Sequence, residues 1–198
     1  MPDFRYDDEA HVYTLDGVRL PSVTTLISDA GLSDYSHVPT DRLEAARLWG
    51  KAVHKMCELY LKDDLDEDTL DEPLRPALWG LKRWLSERSD GWLKCARMEE
   101  PDFHPQLRYA GTPDIATPDL VIDVKSRPAN MLTDSIQVCA YDEMCGGDRE
   151  HRILVLNPDG TYLYQRVNGT KAKRRESWSR FRYILDLHKM KMEVLKWK

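Results

Sequence analysis

Three side chains stand close enough in this sequence to do chemistry together: Asp114, which closes the string Gly-Thr-Pro-Asp, and Asp123 with Lys125, within the run Leu-Val-Ile-Asp-Val-Lys. Residues two apart on a β-strand project from the same face, so Asp123 and Lys125 point together. If the strand carrying Asp114 pairs with theirs, two carboxylates and an ammonium converge at one spot. Such a group is costly to bury by itself but favourable around a divalent cation. Magnesium takes hard oxygen ligands, commonly one or two carboxylates with water and a substrate phosphate. The chemistry on offer is hydrolysis of a phosphate ester, in which Lys125 orients the attacking water or neutralises the attacked phosphate. Taken alone, however, Ile-Asp-Val-Lys is a common string that an ordinary strand-end ion pair also produces.

The wider pattern is more specific than its parts. After Gly-Thr-Pro-Asp an apolar run leads into Asp-x-Lys-Ser, and Gln137-x-x-x-Tyr141 follows on a helical stretch. This combination resembles the nuclease core of the PD-(D/E)xK superfamily, and is most like RecB-type nuclease domains and phage-encoded recombination exonucleases. The resemblance covers residues 49–141, with a fainter likeness in the N-terminal hairpin. It implies that Asp114 and Asp123 are metal ligands, with Asp in place of Glu as the second acid, as RecB-type members also have. It implies that Lys125 is the catalytic lysine and that the cofactor is Mg²⁺ or Mn²⁺. The family's upstream Gly-x-x-x-His is matched by Gly50 to His54, making His54 a metal ligand; a lone His on an apolar helix is otherwise a core residue. An acid that precedes the first Asp in phage-type members is matched by Glu99, with Glu100 competing, since only one of two neighbours on a strand can face the site. Gln137 and Tyr141 share a helix face and, by the resemblance, brace the catalytic strand and touch DNA. Ser126 and Arg127 can donate to phosphate, although Arg127 reads equally well as a solvated loop residue.

The surrounding pattern supplies elements to hold these residues. Asp16-Gly17 is a type I′ turn signal between short β-prone runs, predicting an N-terminal β-hairpin; Ser22 or Thr24 then caps a short helix that Gly31 ends. Apolar residues Leu43, Ala46, Leu48, Val53, Met56, Cys57, Tyr60 and Leu61 mark an amphipathic helix over 41–61, and Leu74, Leu78, Leu81, Trp84 and Leu85 mark another over 73–86. Strands are expected at 92–99, 107–116 and 120–125, then a helix at 133–144 stopped by Gly146-Gly147. Two strands at 152–157 and 162–167 follow, joined by the turn residues Asn157 to Gly160. A closing helix from 175 onward buries Trp178, Phe181, Ile184 or Leu185, and His188. This order fits an α/β fold in which helices flank one mixed sheet, the restriction-endonuclease-like core that the resemblance implies. The expected organisation is a single nuclease domain over 1–198: hairpin and helices to 90, catalytic core 91–167, basic C-terminal helix 168–198.

Composition bounds the rest. With 198 residues, 41% hydrophobic and 32% charged, the chain is globular in type. Its apolar runs are strand-sized and its N-terminus is acidic and unlike a secretory leader, so a soluble cytoplasmic protein is expected, in host cytoplasm if phage-encoded. The four cysteines are scattered without a Cys-x-x-Cys pair, which argues against a zinc knuckle, a disulfide framework or the iron–sulfur cluster that some relatives carry. A net charge of −5 weighs against nucleic acid, but acids crowd into 62–73 whereas the C-terminal segment holds ten Lys and Arg from Lys171 to Lys198. That asymmetry allows a basic DNA-facing surface, or only a solvated helix face. The expected function is a metal-dependent DNA exonuclease in recombination, repair or phage DNA processing. The expected partners are DNA and a single-strand annealing or recombination protein. The alternatives are an endonuclease with the same core, a non-catalytic DNA- or protein-binding module, and a hydrolase of small phosphate esters.

Overall fold

Asp16 and Gly17 both take positive φ, 53° and 75°, which is what a two-residue type I′ turn requires. They join β2 (Val12–Leu15) to β3 (Val18–Leu20), and β1 (Phe4–Asp7) pairs with β2 to complete a three-stranded N-terminal meander. The computed structural model describes residues 2–32, 38–88 and 96–195. Ser22 caps α1 (Val23–Asp29), its Oγ accepting from Thr25 N at 3.0 Å, and Gly31 at φ 73° follows the helix end. Then come α2 (Thr40–Leu61), two short 3₁₀ turns, and α3 (Arg75–Ser86).

The central sheet is built from β4 (Arg97–Met98), β7 (Ile115–Ala116), β8 (Leu120–Lys125), β9 (Glu150–Leu156) and β10 (Tyr162–Val167), in the order β10-β9-β8-β7-β4. β8 and β9 run parallel while the other neighbours are antiparallel, so the sheet is mixed. The parallel pair needs a crossover, which α4 (Met131–Met144) supplies. A separate hairpin, β5 (Asp102–His104) with β6 (Tyr109–Gly111), interrupts the chain between β4 and β7. The 107–116 strand expected from sequence is therefore two short strands, and β5 falls in the gap between the expected strands, where Pro101 and Pro105 flank it. Residues 92–95 of the strand expected at 92–99, and 196–198 of the closing helix, lie outside the described residues.

Alternation along β8 divides the structure into two cores. Val121 faces a cluster with Ile153 and Val155 that is covered by α1, α4 and the last helix, α5 (Lys171–Leu195). Ile122 and Val124 face the other way, onto Val53, Met56, Leu78, Leu81 and Trp84 of α2 and α3. Asp123 and Lys125 fall on the α4 side by the same period of two. The helix predicted over 41–61 forms, but Leu43 and Leu48 are exposed, because burial along α2 begins only at Val53, where it meets α3 and the sheet. In α5, Phe181 is buried as expected and Ile184 and Leu185 both are, where one of the two was expected, whereas Trp178 and His188 are only half-buried and His188 sits 3.7 Å from Asp29 Oδ2. Among the described residues no helix is long and apolar enough to cross a membrane.

Phe181 anchors α5, fully buried with its ring edge-on to Tyr109 at 4.7 Å. Phe181→Ala should lower unfolding free energy by about 3–5 kcal/mol in urea titration. A loss below about 1 kcal/mol would mean that α5 is not seated on the sheet as described.

Candidate metal and active site

Asp114 lies immediately before β7, where the register places it opposite Asp123 of β8 (Ile115 pairs with Ile122, Ala116 with Val121). The main-chain ladder stops there, and the Asp114 side chain continues it: Oδ2 accepts from Val124 N at 2.5 Å. On the other side Glu99 N donates to Asp114 O at 3.1 Å, which sets Glu99 beside Asp114 at the end of β4. Glu99 has φ 50°, so the strand breaks at this residue rather than running through it. This geometry separates the two competing acids, since Glu99 turns inward while Glu100 is exposed.

His54, one turn beyond Gly50 on α2, closes the group. Its Nδ1 is 3.1 Å from Asp114 Oδ1 and 3.5 Å from Glu99 Oε1. One ligand atom from each of His54, Glu99 and Asp114 lies within 4.8 Å of the others. A cation with bonds of about 2.0–2.6 Å spans such a gap, and one imidazole with two carboxylates is a donor set for a hard or borderline divalent ion. Asp123 stands outside this trio, although the sequence pattern groups it with His54 and Asp114. Its Oδ1 accepts from Gln137 Nε2 at 3.0 Å and its Oδ2 faces Lys125 Nζ at 2.6 Å. That second oxygen is buried, with the Lys125 ammonium as its partner. Three converging ligands with a further buried carboxylate beside them are a donor set that fits a divalent cation.

Gln137 holds the second half of the site together. Besides Asp123 it accepts from Lys125 Nζ at 3.1 Å through Oε1, and its Nε2 donates to the Tyr141 hydroxyl at 3.1 Å. Tyr141 in turn packs on Gly111, where a Cβ would sit 2.7 Å from the ring. The loop after β8 lies against α2, since a Cβ on Gly50 would be 3.7 Å from Ser126 Oγ. Arg127 is drawn into a two-pronged pair with Asp134, at 2.6 and 3.2 Å. Asp134 was not found from sequence; it is fully buried and also accepts from Asn130 N at 2.7 Å, thereby fixing the turn between β8 and α4. An acid in the first turn of a helix that begins with an Asn cap was the available signal. Thr112, also missed, ties the Tyr13 hydroxyl of β2 to the Gly-Thr-Pro-Asp loop at 2.9 Å.

The charges are strongly coupled. Burial, with Asp114 adding repulsion, pushes the Glu99 carboxyl up to about 7. Burial likewise raises Asp123 to about 6, with Lys125 opposing and Asp114 reinforcing. The Asp114 charge holds the His54 pKa well above its ordinary value, against the effect of burial. For Asp114 itself burial works upward, but His54, Lys125 and the Val124 N–H outweigh it and the carboxyl is lowered. Burial opposes the Lys125 charge, yet Asp123, Asp114 and Asp134 together raise its pKa.

No protein-family model matches the chain, and no curated protein sequence does. Among solved structures it is similar to an alkaline exonuclease from Laribacter hongkongensis, at 13% sequence identity over 73% of this chain and 90% of that one, with a TM-score of 0.42.

Glu99, Asp123 and His54 bind protons more tightly folded than unfolded, so each stabilises the fold below its unfolded pKa and loses that contribution as pH rises through the folded value. The window is 4.5 to about 7 for Glu99, 3.8 to about 6 for Asp123, and upward from 6.5 for His54. Asp114 works the other way, its contribution being lost as pH falls through a folded pKa below 3.8. In the presence of a chelator the melting temperature should therefore fall from about pH 5 to about pH 8, and Mn²⁺ should restore it at the upper pH but not the lower, because ligation needs Glu99 and His54 free of protons. A melting temperature insensitive to Mn²⁺ at both pH values would rule the trio out as a metal site.

Proposed function

We propose that this chain is a metal-dependent DNA nuclease of the PD-(D/E)xK kind, an exonuclease using Mg²⁺ or Mn²⁺ in recombination, repair or phage DNA processing. One observation carries the reading: the His54, Glu99 and Asp114 ligand atoms gather within 4.8 Å where α2 meets the ends of β4 and β7, beside the Asp123–Lys125 pair of β8. His54, Glu99 and Asp114 would hold the cation, with Asp123 as the neighbouring carboxylate from β8, and Lewis acidity toward water and phosphate is what a divalent ion would supply there. Lys125 presents its ammonium to the attacking water or to the attacked phosphate, where negative charge grows. Gln137 keeps that ammonium aimed by holding Nζ on one side and Asp123 on the other. Tyr141 fixes Gln137, and Ser126 and Arg127, on the loop directly after Lys125, donate to phosphates flanking the scissile bond. DNA is thus the substrate, and a single-strand annealing or recombination protein is the proposed partner in the cytoplasm. The whole of 1–198 serves as one nuclease domain.

An endonuclease built on the same core is the second reading, since channel shape and assembly decide end preference rather than the metal site. A non-catalytic binding module is disfavoured because Asp114, Asp123 and Lys125 are all retained in contact-forming positions. On substrates labelled at the 5′ or 3′ end, linear DNA should be degraded from an end only when Mg²⁺ or Mn²⁺ is present. Closed circles cut as fast as linear duplex would make the enzyme an endonuclease.

The carboxylates and the lysine make different forecasts. Asp114→Asn should weaken Mn²⁺ binding in calorimetry and abolish cleavage together, because an amide lacks the ligand's charge, and Asp123→Asn should do the same by removing the negative charge beside the cation. Lys125→Ala should leave Mn²⁺ bound, or bind it more tightly once a positive charge is gone, yet slow cleavage by at least about a hundredfold. Lys125→Arg should rescue little, the planar guanidinium being a poor copy of a compact ammonium. Near wild-type cleavage by Lys125→Ala would falsify this assignment of the site.

A further inference from the structure

A second charged concavity lies at the opposite end of the central sheet. β8 and β9 are paired from Leu120 with Glu150 through to Lys125 with Val155, and β10 ends at Val167 opposite His151. The loop that follows Val167 is therefore at the end of the sheet where β8 begins, on the order of 15–20 Å from Lys125 at the strand rise of about 3.3 Å per residue. There a cleft of about 480 Å³ opens, lined by Arg166, Lys171, Arg174 and Arg175, with Asp148 as its single acid. The volume falls within the usual range for small-ligand pockets, roughly 300–1,000 Å³.

The four cations are not equivalent. Arg174 is already committed, donating to Arg149 O and facing Asp148 at 3.6 Å and Asp142 at 3.8 Å. Arg166 has Glu150 at 3.6 Å. Lys171 and Arg175, four residues apart and hence on one face of the first turns of α5, are in no ion pair among the described residues. Two exposed positive charges with no ion pair among the described residues line one cleft, which favours an anion there.

The cleft floor is rigid. Asn168, nine-tenths buried and at φ 51°, donates from Nδ2 to Ser135 O at 2.9 Å, lies 2.8 Å from His151 Nδ1, and accepts from Ser177 Oγ at 2.7 Å. His151 Nε2 continues the chain to the buried Asp142 at 2.9 Å. One loop is thereby tied to α4, β9 and α5 by a satisfied polar network, and groups on it are held in place before any ligand arrives.

We propose that this cleft binds a phosphate group through Lys171 and Arg175, with Arg166 and Arg174 lining it. The phosphate belongs either to the backbone of a DNA substrate, in which case the inference rests on the nuclease reading, or to a free phosphate or mononucleotide, in which case it does not. The test compares wild type with the double variant Lys171→Ala/Arg175→Ala and with Arg182→Ala/Lys189→Ala, which removes the same charge further along α5. Two readouts separate the sources: melting temperature in sodium phosphate against sodium chloride at matched ionic strength, and affinity for a labelled duplex as a function of salt. For a DNA phosphate, the Lys171/Arg175 variant alone should lose at least about tenfold in duplex affinity, with the salt slope reduced by about two. For a free phosphate, wild type and the Arg182/Lys189 variant should be stabilised by inorganic phosphate while the Lys171/Arg175 variant is not, with duplex affinity equal in the two variants. If the two variants match in both readouts, the cleft is not a phosphate site. If wild type neither binds nor cleaves DNA but keeps its phosphate response, the nuclease reading fails and the cleft stands.

Discussion

Asp114 uses both of its carboxylate oxygens, and the geometry around it follows from that. Oδ2 takes the Val124 N–H where the β7 ladder ends, and Oδ1 faces His54 of α2. One buried side chain thus joins the sheet to the helix that carries the imidazole. The same residue's carbonyl receives Glu99 N, so the Glu99 carboxylate is set beside Asp114 and His54 through the main chain. An ionised carboxylate at 8% exposure is expensive to bury unless it is hydrogen-bonded and paired, and here it is both. Removing any of these partners leaves charge uncompensated in the interior.

A second arrangement hangs on Gln137. Its amide is a donor and an acceptor at once, which is what lets it hold the negative Asp123 and the positive Lys125 with opposite ends. An acid or an amine at that position could serve only one of them. Tyr141 fixes the amide's rotation, and the absence of a side chain at Gly111 gives the Tyr141 ring its place. The chain of dependence runs from a glycine in β6 to an ammonium in β8 through one helix face.

The two ends of the sheet are organised by opposite electrostatics. At the Lys125 end burial, with repulsion from Asp114 added, raises the Glu99 and Asp123 carboxyls, while Asp114 itself, against burial, is lowered by its cationic neighbours. At the Val167 end three arginines and one lysine line a cleft beside the buried Asn168, with Asp148 as its single acid. A chain with net charge −5 thereby gathers carboxylates at one end of the sheet and cationic side chains at the other, separated by the length of one strand. Net charge alone would have argued against a phosphate-bearing partner, because it averages over a distribution that the fold separates.

Much of this was legible in the sequence wherever a local rule acted alone. The type I′ turn at Asp16-Gly17, the Ser22 cap, the helices and the period-two alternation that puts Asp123 and Lys125 on one face are all consequences of near-neighbour sterics and hydrogen bonding. The spacing of Gln137 and Tyr141 likewise dictates that they share a face. What the sequence could not decide were relations between distant segments. Only the tertiary structure turned Glu99 inward in preference to Glu100, set His54 against Asp114, and left Asp123 with Lys125 and Gln137 instead of in the histidine's group. Only it showed that Leu43 and Leu48 lie beyond the part of α2 that is buried, and that Asp134 and Asn168 are buried struts rather than surface polar residues. The reason is physical: periodicity specifies which direction a side chain points from its own backbone, whereas the partner it meets depends on register and packing between elements that are tens of residues apart.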